Sequence, residues 1–224
     1  MKTKLFAAAV LLVVLFAALG LTALFLSAPN EGEIRVACVG DSITEGSNYV
    51  ADLSKQLGGN YSVGNFGVGL ASVSLATTKP YMNQPVFSQA KDFEPDKVVI
   101  MLGTNDAITW YQPNIGNFSS DYKQLIKSFQ ELPSKPQIYL VVPPPIFNDS
   151  LGPNSTILVE QIIPQIRQIA AETGLPLIDF YDEMEAHPEY SSDGVHLTVA
   201  GSRFVADKIF EDIKRPVNVR FSTY

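Results

Sequence analysis

The chain has 224 residues, 46% of them hydrophobic, with a formal net charge of −7 and a pI near 4.8. That acidity, with no Lys/Arg run, argues against a nucleic-acid partner. The single cysteine, Cys38, excludes an internal disulfide framework, and between Ala37 and Val39 it reads as a small buried apolar residue.

The first 28 residues differ in kind from the rest. Lys2 and Lys4 precede an uncharged run from Leu5 to Leu26, long enough for the ~20 residues a membrane span needs. No small residue stands three positions upstream of Ser27-Ala28. Residues 1–28 are therefore expected to be a signal-anchor or a signal peptide, the uncleaved anchor being favoured, with the N-terminal lysines on the cytosolic side. Residues 29–224 then form one domain in the secretory pathway, membrane-anchored through residues 5–26 or secreted. Four sequons, at Asn60, Asn117, Asn148 and Asn154, fit a glycosylated lumenal or extracellular domain of a eukaryote; the plain alternative is four polar loops.

Beyond the leader, strand-like runs alternate with longer amphipathic ones. Strands are predicted at Ile34–Val39, Tyr61–Phe66, Lys97–Leu102, Gln137–Val142 and Leu177–Phe180. Helices are predicted at Tyr49–Leu57, Val86–Asp92, Phe118–Leu132, Ile157–Thr173 and Thr198–Lys214. Such alternation predicts an α/β fold, a parallel sheet covered on both faces.

The chemistry-bearing residues fall where strands end. Gly40-Asp41-Ser42 follows the first strand, and Gly40 permits the sharp turn that leaves Ser42 at the carboxyl edge. A serine hydroxyl needs a base to act as a nucleophile. Of the two histidines, His187 lies in an acidic segment expected to be exposed. His196 follows Asp193 by three residues, so one turn can carry a base and the carboxylate that orients it. Gly67, after the second strand, and Asn105, after the third, supply neutral amide donors suited to an oxyanion. Trp110 and Tyr111 are candidate substrate-binding residues or ordinary packing. No His/Cys/carboxylate cluster has metal-ligand spacing, and no cofactor is implied.

Four blocks, Gly40-Asp41-Ser42-Ile43-Thr44, Asn65-Phe66-Gly67, Gly103-Thr104-Asn105-Asp106 and Asp193-Gly194-Val195-His196-Leu197, stand in this order. In them, from about Ile34 to Ile213, the chain resembles the SGNH (GDSL-like) hydrolases, serine esterases of a flavodoxin-like three-layer α/β/α fold, here with five strand candidates. The resemblance implies that Ser42 attacks, His196 is the base and Asp193 orients it. It also implies an oxyanion hole formed by the amides of Ser42 and Gly67 and the Asn105 side chain. One departure is visible: many members continue the glycine block with Ser-Gly, whereas Gly69-Leu70 stands here. The resemblance suggests a short-chain, acetyl-removing esterase acting on a carbohydrate. The alternatives are a lysophospholipase or other lipid esterase and, in a different class, a non-catalytic glycan-binding module.

Overall fold

The computed structural model describes residues 32–108 and 117–215. The leader expected at residues 1–28, and Trp110 and Tyr111, lie outside these residues. Among the described residues no helix is long and apolar enough to cross a membrane.

Five parallel strands make one sheet: β1 (Ile34–Gly40), β2 (Tyr61–Gly67), β3 (Lys97–Met101), β4 (Gln137–Val141) and β5 (Leu177–Ile178), in the order β2-β1-β3-β4-β5. The α/β fold expected from the alternating pattern is borne out. Val36, Ala37, Cys38 and Val39 are wholly buried, as an unbroken apolar run must be when helices cover both faces. Gly40 lies level with Gly67 on one side and Met101 on the other. The segments leaving β1, β2 and β3 therefore emerge together at one edge.

The helices are α1 (Ser42–Gly46), α2 (Tyr49–Leu57), α3 (Pro85–Asp92), α4 (Phe118–Gln130), α5 (Ser155–Ile157), α6 (Ile163–Thr173), α7 (Tyr181–Glu185) and α8 (Val199–Lys214). From β1 to β2 the chain moves one way along the sheet; from β2 onward it moves the other way. With right-handed crossovers, that reversal puts α2 on one face and α3, α4 and α6 on the other. The contacts agree. α2 packs on α8, and Gln56 donates to Asp207 across them at 2.6 Å. Phe87 of α3 meets Phe129 of α4 edge-on at 5.9 Å, and Lys123 of α4 pairs with Glu172 of α6 at 2.5 Å. The reversal falls between β1 and β3, and open α/β sheets hold their ligands in the crevice outside such a point.

Two of the departures from expectation have a visible local cause. β5 is shorter than Leu177–Phe180 because Asp179 turns out to pair with Arg167 at 2.7 Å and to accept the Tyr181 amide. The helix expected over Ile157–Thr173 contains a π-helical turn, Leu158–Ile162, just ahead of Pro164. Proline has no N–H to give the preceding turn, and a wider turn absorbs that loss.

Candidate active site

Ser42 is the first residue of α1. Asp41 caps this helix, its Oδ1 accepting the Ile43 amide at 2.9 Å. His196 arrives from the other end of the edge, in the segment between β5 and α8. Its Nε2 stands 3.0 Å from Ser42 Oγ, and its Nδ1 stands 2.7 Å from Asp193 Oδ2. The other Asp193 oxygen accepts the amides of Val195 and His196, at 3.0 and 2.8 Å. Partial burial pushes the Asp193 carboxyl up, but the hydrogen bonds from the His196 amide, the His196 ring and the Val195 amide outweigh it. They hold Asp193 below the usual carboxylate range. The turn is fastened to the body of the domain at Gly194, whose carbonyl accepts the Phe147 amide at 2.8 Å. Gly194 has φ +100°, and a Cβ there would come within 2.4 Å of Asn148 Cβ. His187 is engaged elsewhere, bonded to Glu189 at 2.7 Å and stacked on Tyr190.

On the opposite side of Ser42, the segment after β2 closes the crevice. Asn105 is buried at 4% exposure, and its Nδ2 donates to the Ala71 carbonyl at 2.9 Å. Its neighbour Asp106 accepts the Val73 and Ser74 amides at 2.8 and 2.9 Å. The amide of Gly67, expected as an oxyanion donor, is bonded to Asn65 Oδ1 at 2.9 Å. What this glycine supplies is an absent side chain, since a Cβ there would come within 2.2 Å of the Glu45 backbone nitrogen in α1. Asn65 completes the clamp by donating its Nδ2 to the Thr44 carbonyl at 2.8 Å. Glu45 Oε2 accepts the Gly69 amide at 2.8 Å, and a Cβ on Gly69 would stand 3.9 Å from Ser42 Cβ. The sequence reading missed the fastening roles of Asn65, Glu45 and Asp106. The available signal was the placing of polar residues directly beside blocks already singled out.

Burial pushes the Asp41 carboxyl up to about 6, against the opposing pull of the Ile43 amide, the Thr104 hydroxyl and His196. Its Oδ2 makes no hydrogen bond to the described residues. Cys38 is buried as expected; burial, only partly offset by Tyr49, pushes its thiol up to about 12, which leaves it chemically inert. Among the described residues no group of three or more His, Cys, Asp or Glu is placed to hold a metal ion.

Sheet order and site geometry define the class first: a three-layer α/β fold with serine, histidine and aspartate in line at the carboxyl edge of the sheet. The chain belongs to the GDSL-like Lipase/Acylhydrolase family, whose model matches residues 38–204, so the resemblance seen in the four blocks holds. The chain is 33% identical to an acetylxylan esterase of Xylanibacter ruminicola over 84% of its length and 45% of that protein. An O-acetyltransferase, OatA, of Staphylococcus aureus is 35% identical over 58% of this chain and 18% of its own length. The chain thus spans less than half the length of these relatives. Among solved structures, an acetyl xylan esterase, AlAXEase, superposes with a TM-score of 0.67 at 22% identity, covering 80% of this chain and all of that one.

Proposed function

We propose that Ser42 is the nucleophile, His196 its base and Asp193 the group that orients the base, in an esterase that removes acetyl groups from a carbohydrate. The observation that carries this reading is the line Ser42 Oγ–His196 Nε2 at 3.0 Å and His196 Nδ1–Asp193 Oδ2 at 2.7 Å. Ser42 Oγ attacks the ester carbon as its proton passes to Nε2. Collapse of the tetrahedral intermediate breaks the bond to the alcohol oxygen, which takes that proton. Water, deprotonated by the same nitrogen, then attacks the acyl-serine and releases the acid. The negative oxygen is held by the Ser42 amide and the Asn105 side chain, whose amide nitrogen carries a second hydrogen besides the one given to Ala71.

The acetyl and carbohydrate parts of the reading rest on the name of the Xylanibacter relative. The Staphylococcus relative brings a second reading, in which the acyl-serine is passed to a sugar hydroxyl instead of water. A glycan-binding module would have no use for three groups so aligned. We propose further that residues 5–26 deliver the domain to the far side of a membrane. The sequons divide: Asn154 Oδ1 accepts the Ile157 amide and its Nδ2 donates to Asp149, while Asn148 Oδ1 accepts the Ser150 amide. These two serve the backbone as caps, and Asn60 and Asn117 remain as glycan acceptors.

The test is acetate release from acetylated xylan, with and without an added sugar acceptor. Wild-type protein releases acetate, Ser42→Ala folds and releases none, and a fluorophosphonate labels Ser42 alone. An active Ser42→Ala protein, or labelling of another serine, would overturn the assignment; acetylated acceptor in place of free acetate would favour the transferase.

A further inference from the structure

Val68 to Ala71 form a tight turn, closed by the Ala71 amide donating to the Val68 carbonyl at 3.2 Å. Leu70 takes the third position with φ +62°, a left-handed conformation that such turns normally give to glycine. The turn is held on both sides of Leu70: Gly69 by Glu45, beside Ser42, and Ala71 by Asn105. The Leu70 backbone is thus fixed between the serine and the buried asparagine, and this apolar residue is 52% exposed. A strained backbone that its surroundings over-determine points to function rather than accident.

We infer that the Leu70 side chain is the wall that limits the length of the acyl group; this rests on the Ser42–His196 reading above. His196 must reach both Ser42 Oγ and the departing alcohol oxygen, so the alcohol lies on the His196 side. The sheet order brings His196 from beyond β5 and Leu70 from the end of β2, with Ser42 between them at the end of β1. Two substituents of the tetrahedral carbon lie away from His196: the oxyanion, taken by the Ser42 and Asn105 donors, and the acyl chain, which is left to run along the exposed Leu70. An acetyl methyl fits against that wall, whereas a long chain must displace it.

The experiment compares kcat/KM on p-nitrophenyl acetate, butyrate and octanoate for wild type, Leu70→Ala, Leu70→Gly and Leu70→Phe. A parallel series of acetate esters varies only the alcohol. The two smaller residues should raise the octanoate-to-acetate ratio about tenfold or more, in line with what a few methylenes are worth in an apolar pocket. Leu70→Phe should lower the butyrate-to-acetate ratio, and the alcohol series should keep its order throughout. An acyl ratio that none of the three variants moves would overturn the inference, as would variants that reorder the alcohol series instead. Failure of the underlying mechanism shows differently: wild-type protein would hydrolyse no acetate ester, or Ser42→Ala would hydrolyse them as well as wild type.

Discussion

Asp41 sits beside the nucleophile in a place that disfavours its own charge. It is fully buried, and the Ile43 amide and Thr104 hydroxyl only partly offset the loss of water. Its folded-state value of about 6 lies above the ordinary 3.8. The folded protein therefore holds this proton more tightly than the unfolded chain does. The stabilisation from protonated Asp41 is complete below the unfolded value and is lost as pH rises through the folded one. The difference is worth about 3 kcal/mol. Asn keeps the oxygen that caps α1 and cannot ionise. Asp41→Asn should match wild type near pH 4 and exceed it by about 3 kcal/mol near neutrality. Urea unfolding of both proteins at pH 4, 5, 6 and 7 measures this, and a difference that does not change with pH would refute it. At this scale Ser42, His196 and Asp193 could be singled out as candidates because they stand at a strand end and in a local turn, within blocks that resemble those of a known family. Neither the Asp41 burial nor the Gly67–Asn65 hydrogen bond could be read, since both depend on which side chains the fold turns inward.

Between elements, the placing of Ser42 depends on how closely α1 approaches the end of β2. Gly67 lets the two backbones touch, and Asn65 ties them together. Gly67→Ala would drive a methyl group into the Glu45 backbone, which has no flexible end to yield. Overpacking of this kind costs about 1–3 kcal/mol. The melting temperature should fall by roughly 2–4 °C per kcal/mol for a domain of this size. Activity should fall with it, because α1 carries Ser42. Calorimetry and ester hydrolysis on one preparation check this; an alanine variant that melts and turns over like wild type would show that the Glu45 backbone yields to the methyl group. The long elements were legible from periodicity: α2 has the bounds expected, and β1 to β4 differ from expectation by a residue at the carboxyl end. α1 and α7, five residues each, are too short to show a helical period. The π-turn is a local answer to Pro164 that no periodicity shows.

For the whole molecule, alternation of strand and helix was enough to imply a parallel sheet. The order β2-β1-β3-β4-β5 was not, because the reversal after β2 depends on which strand finds which neighbour. That order makes the domain self-sufficient. β1 sits between β2 and β3, the buried apolar core begins at Val36, and the groups around Ser42 fall between Gly40 and Thr198. A chain of 196 residues, the 224 less the first 28, buries roughly 70% of its extended surface on folding, enough for an independent domain. A protein lacking residues 1–28 should therefore melt cooperatively and hydrolyse p-nitrophenyl acetate with the kcat/KM of the full chain. The two should differ in partition: after carbonate washing the full chain should stay with membranes, and the shortened chain should stay in solution. If the shortened protein were folded but inactive, residues 1–28 would contribute to the site. If the full chain also washed free, residues 5–26 would not anchor it, and a signal peptide cleaved near Pro29 would take the anchor's place.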